Sequence, residues 1–452
     1  MKVIVCGAGQ FGFGIARHLA GEGDDVTVVD RMPELMQHIA NTLDVRPVLG
    51  HCGHPQVLDD AGAADADIVI AVTASDEVNM VACQVAKSLF NVPKTIARVR
   101  DHHYRTNTYE KLFSDNVIPV DVVISPETEV AQAVGRRITL PGAFDSATFC
   151  NGQAEMVGIS IHENCPITDT PLHQLTDLFP DLSTVVVGIN RDGKVYVPDF
   201  DDTMQLGDEA FVVTASSNTE RTLKIFGHEE NEVRKILIVG GGNVGSQLAR
   251  QLDKQKGRYT LTLLEHDKER AKKVADALPH TIVLHGSGLS PESLSEARVR
   301  DADLIAGLTN DNQVNVLTTM LALQEGCKRG VCLINDSSFL SLTRQIGMDV
   351  AINPRAVTVS SVLGHVRQGK VVRVHTVVDG AAEIIEAQVP ENSPLIGTTL
   401  RDLKLPQGLR IGAIWQNNEL TTPRGDSEVK AGDYVVIFAT RESIEHAEHL
   451  FN

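Results

Sequence analysis

The hydrophobic positions follow two regimes, each of which occurs twice. In the first, unbroken apolar runs ("KVIVC" at 2–6, "DVTVVD" at 25–30, "ADIVIAVTAS" at 66–75, "KTIARVR" at 94–100, "VIPVDVVISP" at 117–126) are separated by stretches of helical periodicity such as "GIARHLAGEG". Continuous Val/Ile runs are strands covered on both faces, and helices between them make βαβ units around a parallel sheet. From Val157 the regime changes. Short strands with apolar/polar alternation ("MVGISIHENCPITDTPLHQL", "STVVVGINRDGKVYVP", "LGDEAFVVTAS") are punctuated by turn chemistry, "NRDG" and "GD". This is the pattern of a small α+β module.

Both regimes then start again. "KILIVGGGNVG" answers "KVIVCGAGQFG", with Gly240 lying 233 residues after Gly7. "LTLLE" answers "VTVVD", "DADLIAGLTNDNQVN" answers "DADIVIAVTASDEVN", and "VAINPRAV" answers "VVISPETE". In the small modules "VPENSPLIGTTLRDL" answers "IHENCPITDTPLHQL", and "VKAGDYVVIFATRES" answers "MQLGDEAFVVTASSN". Register held across so many segments is a tandem duplication. The expected class is α/β, with two Rossmann-like doubly wound parallel-sheet domains at 1–124 and 233–350, each followed by a small α+β domain at 144–228 and 370–452. Two stretches after Pro126 and Pro354, "ETEVAQAVGRRI" and "RAVTVSSVLGHV", read as amphipathic helices. They are candidates either for packing on their own domain or for joining each large module to a neighbour.

Each large module opens with Gly-x-Gly-x-x-Gly between a strand and a helix, at Gly7, Gly9 and Gly12 and again at Gly240, Gly242 and Gly245. The first glycine permits the turn, the second lets backbone N–H groups approach a pyrophosphate, and the third lets the helix pack close to the sheet. The free N–H groups and the positive end of the helix dipole favour an anion there. Asp30 and Glu265 end the second strands. A carboxylate at that place accepts hydrogen bonds from an adenosine ribose diol and repels a 2′-phosphate, which favours NAD over NADP and leaves ATP and ADP open. Thr73 and Thr309 end the fourth strands at the carboxyl edge. Arg98 and Arg100 end the fifth, and alternation turns both to one face, within reach of a phosphate. The second copy reads Ile334 and Asp336 at what pairs as the matching place, so the two sites are not expected to bind one ligand equally.

Composition narrows the function. The formal net charge is −18, which disfavours nucleic acid as a partner and fits solubility or docking on a basic surface. No run reaches the roughly 18 apolar residues of a spanning helix and Met1 leads straight into a strand, so membrane association is expected only through a partner and no signal peptide is read. Seven cysteines without a C-x-x-C pair fit a reduced cytosol, with Cys6 and Cys83 as small buried hydrophobes. "HCGH" (His51, Cys52, His54) has the spacing of metal ligands, but its repeat counterpart "GSGL" has none, so no metal is expected. No catalytic constellation follows either loop. An NAD-dependent dehydrogenase is the enzyme alternative and a ligand-free scaffold the structural one. Binding without turnover fits better, and no catalytic residue is assigned.

These residues, "KVIVCGAGQFG…VTVVD…IAVTASDEVNM", their copy and the two "ENxP" modules, resemble the tandem RCK family, the regulators of potassium conductance found in Trk-type potassium uptake systems, over the whole chain. The resemblance implies a cytoplasmic subunit, peripheral to the cytoplasmic face of the inner membrane, that gates a TrkH-like potassium channel or transporter. It implies NAD/NADH and ATP or ADP as ligands, and a homotetramer that completes a ring. Carried over by residue, the first site would comprise Gly7, Ala8, Gly9, Gln10, Phe11, Asp30, Thr73, Ala74 and Arg98. The second would comprise Gly240, Gly241, Gly242, Asn243, Val244, Glu265 and Thr309.

Overall fold

The computed structural model describes residues 1–105, 111–114, 117–179, 182–229, 232–255, 257–335, 350–366, 370–403 and 405–451. It divides into two compact units, Met1–Glu129 with Pro354–Val366, and Val130–Asn353 with Arg367–Asn452.

The first unit is built on strands β1 (Lys2–Cys6), β2 (Asp25–Asp30), β3 (Arg46–Leu49), β4 (Ile68–Ala71), β5 (Lys94–Arg98) and β6 (Val122–Ile124), with helices α1 (Gln10–Gly21), α2 (Pro33–Thr42), α3 (Pro55–Asp60) and α4 (Asp76–Phe90) between them. The six strands lie in the order β3-β2-β1-β4-β5-β6 and pair in parallel. This is the doubly wound order, in which the strand order reverses between β1 and β4 and opens a crevice at the carboxyl ends. The continuous apolar runs are explained by burial from both sides, with β4 buried at every position. One core holds Ile4, Cys6, Val29, Val69, Ala71, Cys83 and Ala97. Burial pushes the Cys83 thiol up from its ordinary value, and all seven cysteines are buried and free.

A helix from late in the chain completes this unit. It is numbered α12 below and runs from Pro354 to Val366. It lies against α1, where a Cβ on Gly14 would fall 2.8 Å from Cγ of Arg355 and 3.4 Å from Val359. The counterpart α5 (Pro126–Thr139) starts in the first unit and from Val130 onward belongs to the second.

In the second unit α5 meets α8 (Asn243–Asp253): a Cβ on Gly135 would lie 3.8 Å from Leu248 and from Gln251. Each connecting helix therefore packs on the first helix of the other Rossmann domain. The parallel sheet here is β14-β13-β12-β15-β16-β17, made of β12 (Lys235–Val239), β13 (Thr260–Glu265), β14 (Ile282–His285), β15 (Leu304–Gly307), β16 (Gly330–Leu333) and β17 (Val350–Ile352). Among the described residues its other helices are α9 (Lys268–Ala277), α10 (Pro291–Glu296) and α11 (Asn312–Gln324).

The two small modules also lie in the second unit, each with a five-stranded sheet. The first comprises β7 (Ala143–Phe149), β8 (Ala154–Ser160), β9 (Thr184–Arg191), β10 (Lys194–Tyr196) and β11 (Glu209–Ala215), with α6 (Leu172–Leu178) and α7 (Thr219–Ile225). The second comprises β18 (Val371–Val377), β19 (Ala382–Gln388), β20 (Leu409–Gln416), β21 (Glu419–Thr421) and β22 (Tyr434–Thr440), with α13 (Ile444–His449). "NRDG" is the hairpin expected of it: Asp192 and Gly193 both take positive φ, 53° and 84°, between Arg191 and Lys194, which pair directly.

The sheets of the two small modules share one core of Phe149, Met156, Val187, Phe211, Val213, Ile384, Val436 and Phe438. They approach at glycines on equivalent strands. A Cβ on Gly188 would fall 2.3 Å from the Phe438 ring, and one on Gly412 2.8 Å from Val187 and Val213. A polar tie flanks this core. Asp145 of β7 accepts from Arg137 Nη2 at 2.5 Å and from His375 Nε2 of β18 at 2.9 Å. Burial alone would raise the Asp145 carboxyl, but the charges of His375 and Arg137 outweigh it and hold the group well below the usual carboxylate range.

Phe438 is fully buried, so Phe438→Ala should cost about 3–5 kcal/mol in thermal or denaturant unfolding. Because the Asp145 carboxyl is depressed in the folded state, its contribution is present above the unfolded-state value of about 4 and is lost as pH falls below it. Unfolding midpoints of wild type and Asp145→Asn should therefore differ at pH 7 and converge in strong acid.

Candidate functional site

At the carboxyl edge of the first sheet the chain leaves β1 through Gly7, held at φ 112°. A Cβ there would meet Thr73 N at 3.0 Å, and a Cβ on Gly12 would lie 1.8 Å from the Gly7 carbonyl oxygen. No side chain fits at either place, which is why the motif needs glycine there. Gly9 differs, since nothing lies within 4 Å of the Cβ it lacks. It stands as the N-cap of α1 with no side-chain cap and no acid in the first turn. The helix therefore presents bare N–H groups and an uncompensated dipole at Gly9, Gln10 and Phe11.

The acid that ends β2 closes on this loop. Asp30 accepts from Ala8 N at 2.7 Å and from Met32 N at 2.9 Å. Thr73 lies just beyond β4, and its N–H and hydroxyl both donate to Asn79 Oδ1, at 2.8 and 2.7 Å. Fully buried Asn79 in turn donates to the Arg98 carbonyl at 2.9 Å. One amide thus ties the ends of β4 and β5 to the start of α4. Sequence reading assigned Asn79 no role, although Thr-x5-Asn recurs in both copies and carried the signal.

The two arginines are already engaged. The Arg98 guanidinium lies 4.5 Å from the centre of the Phe11 ring and pairs with Glu127. Arg100 donates to Asp76 at 3.1 Å and to the Ala74 carbonyl. The residues proposed from sequence for the first site, Gly7 through Phe11, Asp30, Thr73, Ala74 and Arg98, are therefore brought to one edge of one sheet. In "HCGH", just after β3, Cys52 is turned into the core and donates to the Val29 carbonyl at 3.5 Å, while the His51 and His54 rings lie 4.7 Å apart.

The second loop repeats the frame. Gly240 has φ 105°, a Cβ on Gly245 would lie 1.9 Å from the Gly240 oxygen, and Gly242 is as open as Gly9. Gly242 N-caps α8, so Asn243 and Val244 form its first turn. Glu265 accepts from Gly241 N at 2.6 Å and from Asp267 N at 2.8 Å, with His266 Nδ1 at 3.0 Å. Thr309 is held by Asn315 as Thr73 is by Asn79. The surroundings differ. Glu265 is 1% exposed, whereas Asp30 is half-buried.

Structure also corrects the pairing of the fifth strands. Asn79 bonds the Arg98 carbonyl and Asn315 the Leu333 carbonyl, while Val99 N donates to Ile124 O and Ile334 N to Ile352 O. Leu333 and Asn335, not Ile334 and Asp336, therefore match Arg98 and Arg100, and Asp336 lies outside the described residues. The off-by-one arose because α11 is shorter than α4. The conclusion that the second site lacks both arginines is unchanged.

Two dinucleotide-fold domains, each with a small α+β module, define a tandem RCK-type architecture. The TrkA-N domain family matches residues 3–126 and 236–354, and the TrkA-C domain family matches residues 156–227 and 384–452. The chain is 47% identical over 451 residues to the Trk system potassium uptake protein TrkA of Azorhizobium caulinodans, covering 100% of this chain and 98% of that one. It is 38% identical to the Halomonas elongata protein of the same name, with the same coverage. The chain belongs to the TrkA family of Trk-system potassium uptake proteins. Its fold is also that of the GsuK RCK domain (TM-score 0.61, 17% identity, 99% of this chain and 94% of that one) and of the GsuK channel bound to NAD (TM-score 0.61, 17% identity, 99% and 78%). Among the described residues no helix is long and apolar enough to cross a membrane.

Two substitutions test the frame. Gly12→Ala must displace the loop, and Asn79→Ala leaves the Thr73 N–H and the Arg98 carbonyl without their partner. Each should lower stability by about 2–4 kcal/mol in denaturant unfolding, whereas Gly9→Ala should be near neutral in the absence of ligand.

Proposed function

We propose that the protein is a nucleotide-sensing regulatory subunit that gates a TrkH-like membrane potassium channel or transporter. The reading rests on one observation made twice. A glycine loop ends in an open, uncapped helix N-terminus and is closed by the carboxylate of the second strand. That arrangement suits an adenosine ribose at Asp30 and Glu265 and a pyrophosphate at the N–H groups of Gly9–Phe11 and Gly242–Val244. NAD/NADH and ATP or ADP are the ligands, and the GsuK channel, which shares the fold, binds NAD.

Sensing rather than turnover is the role. The polar side chains around the first loop, Thr73, Asn79, Asp76 and Arg100, are spent on hydrogen bonds that shape the site. The protein works on the cytoplasmic face of the inner membrane as a homotetramer, with its Rossmann domains forming a ring that sums ligand-driven changes at the pore. A ligand shifts such an equilibrium only through its different affinities for the two states.

Calorimetric titration of the full chain with NAD, NADH, ATP, ADP and NADP tests this. Binding of the ligands without a 2′-phosphate should weaken at least about tenfold at one site in Asp30→Ala and at the other in Glu265→Ala. Absence of binding by every adenine nucleotide would leave the loops as structural turns and end the proposal.

A further inference from the structure

The pair Arg98–Glu127 is built unlike the neighbouring pair Arg100–Asp76. Asp76 is 5% exposed and accepts from Arg100 N and Nε and from Asp101 N, at 2.9, 3.1 and 2.9 Å. Oδ2 is held by the two backbone N–H groups and Oδ1 by the guanidinium, so both oxygens are used. Arg98 is 8% exposed, yet among the described residues its Nε has no hydrogen-bond partner, and neither has the second carboxylate oxygen of Glu127, Oε2. A single contact joins two fork-shaped groups that could make two. A buried, half-satisfied ion pair is a poor stabiliser, because each charge gave up water without full replacement.

Its location indicates what would satisfy it. Arg98 lies over the ring of Phe11, in the first turn of α1, where the helix presents its bare N–H groups. A phosphate held there would offer Arg98 the several acceptors that Glu127 does not. The second copy sharpens this. Leu333 takes the place of Arg98 and Val244 that of Phe11. In the sequence repeat Arg355, beside Pro354 as Glu127 is beside Pro126, stands at the acid's position. Where the arginine is lost, the carboxylate is lost with it and its charge is reversed. The acid therefore goes with the arginine, not with the start of the helix.

We infer that Glu127 is a specificity-determining residue of the first site: an internal competitor that occupies Arg98 until a nucleotide phosphate displaces it. This rests on the first loop being a nucleotide site. Displacement costs the ion pair, so only a ligand that places phosphate at Arg98 meets that cost, and it must offer the guanidinium more than Glu127 does. Neutral adenosine does not contest the pair, whereas ADP must break it to gain the guanidinium.

The test is calorimetric titration of the full chain with ADP and with adenosine, for wild type, Glu127→Gln, Glu127→Ala, Arg98→Ala and the double variant Arg98→Ala/Glu127→Gln, after circular dichroism shows each folded. Removing the competing charge should tighten ADP about tenfold and leave adenosine unchanged. In the Arg98→Ala background the Glu127→Gln change should have no effect on ADP. ADP affinity that is unchanged or weaker in both Glu127 variants overturns the inference, as does a gain that persists without Arg98. Those results differ from a wild type that binds no ADP at all, which would remove the nucleotide site itself and the inference with it.

Discussion

In the first turn of α1 the backbone of Gly12 passes so close to the Gly7 carbonyl that a Cβ would sit 1.8 Å from the oxygen. That close approach presses the helix onto the strand it follows and aims its N-terminus outward at the carboxyl edge of the sheet. The other features of the site depend on it. The Ala8 N–H is left facing Asp30, Thr73 meets the underside of the turn, and Phe11 comes to lie beneath Arg98. The copy at Gly240 and Gly245 reproduces the same clearance to within 0.1 Å, so the constraint was duplicated with the domain.

On that common frame the two sites have diverged in charge. The first has a half-buried Asp and two arginines, each set against an acid. The second has a buried Glu and no arginine at the matching strand end. Equivalent loops with unequal electrostatics suit a protein that reads two ligands, or one ligand with two affinities. Meanwhile the small modules are joined through a shared core at Phe211 and Phe438, and the connecting helices are exchanged between the Rossmann domains. Neither repeat is therefore an independent bead on a string.

Much of this was legible in the sequence because duplication supplied an internal check. Strand runs, glycine loops and terminal acids appear twice in the same succession, and each copy vouched for the other. What escaped was non-local. Hydrophobic periodicity shows which face of α5 or α12 is buried but not that it is buried against the other Rossmann domain. The edge strands β7 and β18 were not read as strands. Each breaks register with its neighbour, β7 between Ala143 and Asp145, so their alternation is irregular. Arg98 and Arg100 were placed at the site, but their capture by Glu127 and Asp76 joins residues brought together only by the fold. The one-residue mismatch at Leu333 came from a shortened helix that no local pattern reveals.

Backbone hydrogen–deuterium exchange of the full chain, with and without saturating NAD or ADP, reads nucleotide binding at the amides that would carry it. Nucleotide sensing predicts slowed exchange at the amides of residues 9–12 and 242–245, with ADP protecting the first loop more than the second. Unchanged exchange at both loops under saturating nucleotide would contradict it.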